Sequence, residues 1–539
     1  MSAGVQQLDG GNWDVVIVGF GPSGAVAAAL LGQAGIRTLV VDRSDQVYPK
    51  PRAISLDHEI MRVFQNLGLA EAIAPFCEPF TPSEYYGVDG QLIKRLATVA
   101  PPYPLGHTPS MVFTQPPVEA ALRAHVRSLP AVDVVLNQRF TGVEQDAEGA
   151  TVRLEDGDGR TAAVRARWVI GCDGASSAVR ESVGIALEDL QFDEPWLVVD
   201  VQVNERGLAK LPATSVQFCE PARPCTYVIG PGKHRRWEIS LLPGEDPAYM
   251  ATEEGAWSVL RRWIGPEDAT LWRQASYRFH ALVASEWRVG RVFIAGDAAH
   301  QQPPFLGQGM CQGVRDVANL AWKLRAVLAG EANEALLDTY AEERREHVRR
   351  LTTRIKEIGA VICERDVDAA RARDAGLIAA AGGAVKTVAR QDIIPPLAGG
   401  LLDMDGASGT GSLFPQPRIE GPGGPVLLDE LAGTGWRIVT DLDQAALPPG
   451  LAPLAAQLGT LVAISTHTQP FTSTSGYVQA GERDGVLAGW FARHGCRAAI
   501  VRPDHYVYGV AADGAALLAL LAGLVRRLGG SARPEVRAA

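Results

Sequence analysis

The sequence predicts an α/β fold in three parts: a parallel-sheet unit, a β-rich unit interleaved with it, and a smaller α/β unit at the C-terminus. Three observations predict it. Residues 14–18 (DVVIV) form a short β-rich run that passes through GFGPSG, with Gly19, Gly21 and Gly24, into the small-residue helix pattern AVAAALLGQAG and a second apolar run, 38–41. That order is strand, tight turn, helix, strand. Residues 196–285 alternate around WLVVDVQV, TSVQFCEP, CTYVIG and RRWEISLLP, the pattern of an antiparallel sheet forming a separate layer. Residues 391–430 are rich in Pro and Gly, and beyond them WRIVTD, GTLVAIS and a closing helix restart an α/β pattern.

Length and charge narrow the function. A chain of 539 residues suits two or three domains, and 47% hydrophobic with 21% charged residues is a globular composition. The formal charge of −10 argues against a general nucleic-acid binder, which needs surplus positive charge. The seven cysteines are scattered, with no second pair or histidine cluster at metal-ligand spacing. Neither zinc nor a disulfide framework is expected, and the reducing cytoplasm fits best. Residues 1–13 lack the basic and greasy regions of a signal peptide, and no uninterrupted apolar run is long enough to span a membrane.

Each element can be justified in turn. The first glycines close the turn and leave room for a pyrophosphate at the helix N-terminus, and Asp42 stands where an acidic side chain would accept from an adenosine ribose hydroxyl. The turn KPRAISLDHE, with Arg52, leads to a helix bearing Ile60, Val63, Phe64 and Leu67. Gln115 opens another helix, and strand runs follow at 132–136, 140–145, 151–154 and 163–169. WVIGCDGASSAVR (168–180) is a second strand-and-turn of the ligand-approaching kind. RVFIAGDAA (291–299) is a third, followed by the loop HQQPPFLGQGMCQG and a helix from about 314 to 328. Helical pattern continues through 333–390, and 391–430 reads as a linker or covering loop.

Together these three signals resemble the FAD-dependent aromatic hydroxylases, the class A flavoprotein monooxygenases. Gly19–Gly24 matches the first FAD motif, 172–180 the Asp-Gly motif, and Gly296-Asp297-Ala298-Ala299-His300 with Pro303–Phe305 and Gly307–Met310 the Gly-Asp motif. Within that family the chain is most similar to the 3-(3-hydroxyphenyl)propionate hydroxylases, through PRAISLDHEIMRVFQNLGL, RRWEISLLPGE and the terminal RPDHYVYG. Gly509 and Cys311 depart from residues that relatives often carry, Trp and Asn respectively.

The resemblance implies a Rossmann-like FAD-binding domain (1–80, 108–190 and 286–390, with a helical extension), a substrate domain (81–107 and 191–285), a linker (391–430) and a thioredoxin-like C-terminal domain (431–539). FAD would be held non-covalently by Gly19, Gly21, Gly24, Asp42, Arg52, Gln115, Asp173, Asp297, Gly307, Gly309 and Met310. NADH or NADPH would be the co-substrate, O₂ the oxidant, and a flavin C4a-hydroperoxide the hydroxylating species. The expected reaction is ortho-hydroxylation of a phenolic acid such as 3-(3-hydroxyphenyl)propionate to a catechol. Rival readings are a hydroxylase of a larger aromatic or polyketide, a flavin oxidase or dehydrogenase, and, least favoured, a structural flavoprotein.

A phenolic substrate needs a base or acceptor near its hydroxyl, and His58 and Tyr227 are the candidates. Arg236 is the candidate partner of a substrate carboxylate, with Gln217 and Pro304 as further substrate-binding residues. No metal, nucleic acid or membrane partner is expected, and homodimerisation is an expectation from relatives alone.

Overall fold

The structure is a computed structural model and describes residues 8–403, 405–465, 471–474 and 476–529. At its centre Asn12–Val18 pairs in parallel with Thr38–Asp42 on one side and Thr161–Gly171 on the other. Val132–Leu136 and Val292–Ile294 extend this parallel sheet at either side. Their inner stretches, residues 15–18, 39–41, 168–171 and 292–294, are buried on both faces, which is why they read as continuous apolar runs and not as alternations. Helix Pro22–Gln33 opens with Pro just after Gly21 and buries Gly24–Ala29. Its small residues let it pack closely against the long helix Gly309–Leu328.

The second sheet has nine strands, dominated by the antiparallel pair Leu187–Val203 and Ala269–Ala284. Strand alternation gives it two different faces. One carries Leu197, Val199, Val201, Tyr227, Trp237 and Ile239 against the helix Glu253–Leu260, through Trp257 and Leu260. The other carries Trp196, Asp200, Gln217, Thr226, Arg236 and Glu238 and turns toward the first domain, where Arg236 bonds the backbone of Pro51 and Arg52.

Beyond residue 430 the short edge strand Thr472–Thr474 pairs antiparallel with the first of five further strands, in the order Tyr477–Gly481, Gly459–Ser465, Trp436–Thr440, Ala498–Val501, Val507–Ala511. The first three are mutually parallel and the last two antiparallel to their neighbours. Helices Leu451–Leu458 and Gly514–Leu528 pack together on this sheet.

Two boundaries differ from expectation. Within the stretch read as helical extension, Lys386–Ala389 is a strand that pairs with Leu92–Ala97 at the edge of the second sheet. Segment 391–430 is no free tether. Leu397 and Leu402 form a small core with Tyr506, Phe414 is fully buried, and Arg418–Gly421 pairs with Gly424–Leu427. Its prolines and glycines exclude helix, yet burial of its apolar residues fixes its path. Among the described residues no helix is long and apolar enough to cross a membrane, and no cluster suited to a metal ion occurs.

Candidate active site

The three motifs converge on one hollow. Gly19 has φ +105°, and a Cβ there would lie 2.3 Å from the Cys172 carbonyl oxygen; one on Gly24 would lie 1.9 Å from the Gly19 oxygen. These two glycines are demanded by the protein's own packing. Gly21 is different: a Cβ there meets nothing within 4 Å. It faces open space at the N-terminus of helix Pro22–Gln33, where no side chain caps the first amides. Free amides at a helix start are an anion site. Asp42 closes the far side, accepting from the Phe20 amide at 2.6 Å and the Ser44 amide at 2.8 Å, with lone pairs remaining.

Asp173 accepts from Ser177 Oγ and from the Val179 amide, so it orders the Asp-Gly turn. Arg180 ties that turn to the third motif by donating to the Ala175 and Ala298 carbonyls at 3.0 and 3.1 Å. In the third motif Asp297 is open to solvent although protein surrounds it, as expected of a group lining a deep hollow. It makes no hydrogen bond among the described residues. Enclosure pushes its carboxyl above the usual range, against the pull of His300 and Arg52. His300 is structural: its ring stacks on Trp287 and its Nε2 contacts Asp316 at 2.7 Å.

The loop after it is fixed by a Gly307 amide to Pro304 carbonyl bond of 2.7 Å and by Ser55 Oγ donating to the Gly307 carbonyl at 3.1 Å. Helix Gly309–Leu328 then starts without a side-chain cap, since the Gln308 amide oxygen accepts from Arg315 instead. A Cβ on Gly309 would again meet open space. Free amides at two helix starts, two open glycines and an unpaired carboxylate fit the phosphates, ribitol and ring of FAD. Gln115 shapes the wall indirectly. Its oxygen accepts from the Arg52 and Ala53 amides at 3.2 and 2.6 Å, and its NH₂ donates to Glu119. The Arg52 guanidinium stands exposed over the Tyr48 ring.

Opposite lies the inner face of the second sheet. Register places Tyr85, Gln217, Thr226, Glu238 and Val198 in one row across five strands, with Val228, Arg236, Asp200 and Arg273 in the next. Phe305 packs edge-on against Trp196 beside these rows.

The sequence of residues 12–355 matches the family model described as an FAD binding domain, and 411–524 matches an HcaD C-terminal domain. The chain is 39% identical to a probable NADH-specific resorcinol 4-hydroxylase of Rhodococcus jostii (strain RHA1), over 95% of this chain and 94% of that protein. It is 33% identical to a 3-(3-hydroxy-phenyl)propionate/3-hydroxycinnamic acid hydroxylase of Mycobacterium sp. (strain JLS), over 93% and 90%. The chain belongs to the FAD-dependent aromatic hydroxylases. Its fold is also that of the flavin-dependent monooxygenase PieE, with a TM-score of 0.78 at 23% identity over 96% of this chain and 99% of that one.

The structure of this hydroxylase corrects three substrate-side expectations. Tyr227 lies on the outer face of the sheet, its ring 5.0 Å from Trp237 and its hydroxyl 3.5 Å from the Pro212 carbonyl. It cannot reach the hollow. Tyr227→Phe is therefore expected to keep kcat/KM within roughly twofold, since a 3.5 Å contact is a poor hydrogen bond; a tenfold fall in steady-state turnover would return the hydroxyl to the site.

His58 begins helix His58–Asn66 and shares its face with Arg62 and Gln65, the face that bonds Phe414, Gln416 and Asp429 of the tail. Burial lowers its pKa to about 4, and the helix periodicity points it away from the sheet. Arg236 is neither a free carboxylate fork nor an exposed strand edge. It is 3% exposed, donates twice to Asp200 at 2.7 and 3.2 Å, and uses its other hydrogens on the Arg52 and Pro51 carbonyls.

Gln217 does lie on the inner face, its oxygen accepting from Thr226 Oγ1 at 2.6 Å, and Pro304 forms the turn beside Phe305. Sequence reasoning missed Asp200, Arg273 and Glu238. The available signal was a charged residue alternating with Trp237 and Ile239 inside RRWEIS, which sets it on the opposite face of a buried strand.

Proposed function

We propose that this hydroxylase acts on a small neutral phenol of the resorcinol type, using NADH and O₂ to add one hydroxyl to the ring. The observation that carries this choice is Arg236: its fork is closed on Asp200, so the residue that a phenolic-acid substrate would need is already paired. The 39% identity to a probable NADH-specific resorcinol 4-hydroxylase supports it. The phenolic-acid reading is the second one, favoured by several relatives at 30–33% identity named for 3-(3-hydroxy-phenyl)propionate.

In this reading Gly19, Gly21 and Gly24 admit the FAD pyrophosphate to the helix start, and Asp42 accepts from the adenosine ribose. Asp297 accepts from the ribitol, and Gly307, Gly309 and Met310 line the ring. Arg52 bounds the opening, while Gln115 and Asp173 hold the two flanking turns in shape. FAD supplies the redox chemistry, taking electrons from NADH and delivering one oxygen atom of O₂ to the ring. The chain's own task is to orient the phenol and exclude water. Trp196, Phe305 and Leu306 do the latter from one side of the inner rows.

For the tail we infer a thioredoxin-like arrangement, supported by the central order Gly459–Ser465, Trp436–Thr440, Ala498–Val501, Val507–Ala511, with one parallel and two antiparallel pairings. It carries no CxxC pair.

The test is NADH oxidation by the FAD-loaded enzyme over resorcinol, 3-(3-hydroxyphenyl)propionate, phenol and polycyclic phenols, with product masses from the same reactions. Resorcinol is expected to gain one oxygen with NADH consumption matched to product. Coupled turnover of the phenolic acid alone would replace the first reading by the second.

A further inference from the structure

Glu238 is an inner-face carboxyl that the flavin motifs do not use and that only one distant ion pair, to Arg236 at 4.0 Å, reaches among the described residues. Its side chain is 5% exposed and makes no hydrogen bond among the described residues. The charged groups that act on it are Arg236 on its own strand, Asp200 on the adjacent strand and Arg273 on the one beyond. Arg236 comes no nearer than 4.0 Å and spends its donors on Asp200 and the Pro51–Arg52 backbone. Arg273 likewise donates to Asp200 and to the Pro51 carbonyl.

The cross-strand neighbours of Glu238 offer no rescue. Val198 is apolar, and the Thr226 hydroxyl is turned to Gln217. Further along the same row the Tyr85 hydroxyl is buried and also without a partner. This polar stripe runs between two apolar walls, Ile54, Val112 and Val228 on one side and Trp196, Phe305 and Leu306 on the other. A flat ring with apolar faces and a hydroxyl on its edge matches that shape. Burying a carboxyl with nothing to bind it is costly, so such a group belongs to a site that something else completes.

We propose that Glu238 receives the phenolic hydroxyl of the substrate and takes its proton during hydroxylation. The inference rests on the phenol-hydroxylase reading above and names the residue that neither His58 nor Tyr227 supplies. The carboxylate accepts the hydrogen bond from the phenol. As the ring attacks oxygen, the phenol O–H bond breaks and a carboxyl O–H bond forms, which puts negative charge on the ring oxygen and activates the ortho and para carbons. The same proton returns to that oxygen as the newly oxygenated carbon gives up its hydrogen as a proton to the second oxygen atom of O₂, which leaves as water with the electrons NADH supplies, and the ring becomes aromatic again. Burial pushes the Glu238 carboxyl up to about 7, against the pull of Arg236, so it is half-ionised near neutral pH and suited to moving a proton in both directions. The ionised form is the active one, so activity should rise with pH through that value.

The test compares wild type, Glu238→Gln and Glu238→Asp as FAD-loaded proteins, with the best phenol of the panel and its methyl ether as ligands. The expected result for Glu238→Gln is a fall in kcat of about 100-fold, the usual worth of a placed base, and loss of the acid limb of the kcat/KM profile. Its FAD content should equal that of wild type. Perturbation of the flavin absorbance should show wild type preferring the phenol to its methyl ether by about tenfold, with the preference gone in Glu238→Gln and partly kept in Glu238→Asp. A Glu238→Gln enzyme that keeps its turnover, acid limb and phenol preference overturns the proposal. If wild type binds and hydroxylates no phenol, the functional reading fails first, and the inference falls with it.

Discussion

Gly21→Asp is expected to give a stable protein that does not hold FAD. The position is the N-cap of helix Pro22–Gln33, with φ −71° and ψ −175°, a conformation any residue adopts. A side chain there meets no protein atom within 4 Å. Asp is a better N-cap than Gly by a few tenths of a kcal/mol, so the apoprotein should melt at the native temperature or slightly above it. The same carboxylate would stand where the pyrophosphate must lie. Like charges brought together cost several kcal/mol, and about 3 kcal/mol is a 100-fold loss of affinity.

The contrasting variant is Gly24→Ala, whose methyl would lie 1.9 Å from the Gly19 oxygen and should damage the turn itself. Measured together, thermal melting of the apoproteins and FAD titration separate the two effects. A Gly21→Asp protein that purifies with a full complement of FAD would remove the first motif from the cofactor site.

Arg502→Met should undo the docking of the tail. Arg502 is fully buried and donates to Glu343 at 3.0 and 2.6 Å and to Asp504 at 3.0 and 2.6 Å, bridging the tail to helix Asp338–Cys363. Lys323 and Asn319 on helix Gly309–Leu328 complete the cluster. Removing one partner of such a group strands buried charge and costs about 3–5 kcal/mol, whereas the ion pairs as a set contribute far less net stability. Urea unfolding at neutral pH should show that loss.

The pH dependence has a definite sign. Burial alone would raise Glu343, but Arg502 and Lys323 hold it at about 2, so in wild type its stabilisation is present above the ordinary carboxylate range and is lost only as pH falls toward that value. Without Arg502 the burial of Glu343 is less opposed and its pKa rises. The variant's deficit should then shrink as pH is lowered from about 8 to about 5. A deficit that stays constant over that range would mean that lost packing, and not stranded charge, explains it.

The turns that carry the candidate flavin residues were legible because their requirements are local. Gly19 and Gly24 answer to steric demands within a few residues or against one neighbouring turn, and Asp42, Asp173 and Asp297 close the strands that present them. The substrate side was not. Whether Tyr227 or Val228 faces the hollow depends on which face of the sheet helix Glu253–Leu260 covers, and alternation alone leaves both faces open. Tyr227 pairs across strands with Trp237, and Val228 with Arg236, so two residues chosen for one pocket stand on opposite sides. His58 was misread for a related reason: the partner of its helix face, Asp429, is more than 350 residues away in the chain. Composition left 391–430 open between a linker and a covering loop, because Pro and Gly report backbone conformation whereas Leu397, Leu402 and Phe414 decide burial.

Asp297 gives cofactor supply a hold on the amount of folded protein. Asp297 and the uncapped amides at two helix starts come together only in the folded chain, so FAD binds that state and not the unfolded one. Binding adds RT ln(1 + [FAD]/Kd) to the folded side, about 2.7 kcal/mol when the dinucleotide stands at 100 times its Kd. Cells short of riboflavin should therefore accumulate less of this enzyme from the same message, with the shortfall removed by proteolysis before any question of turnover arises.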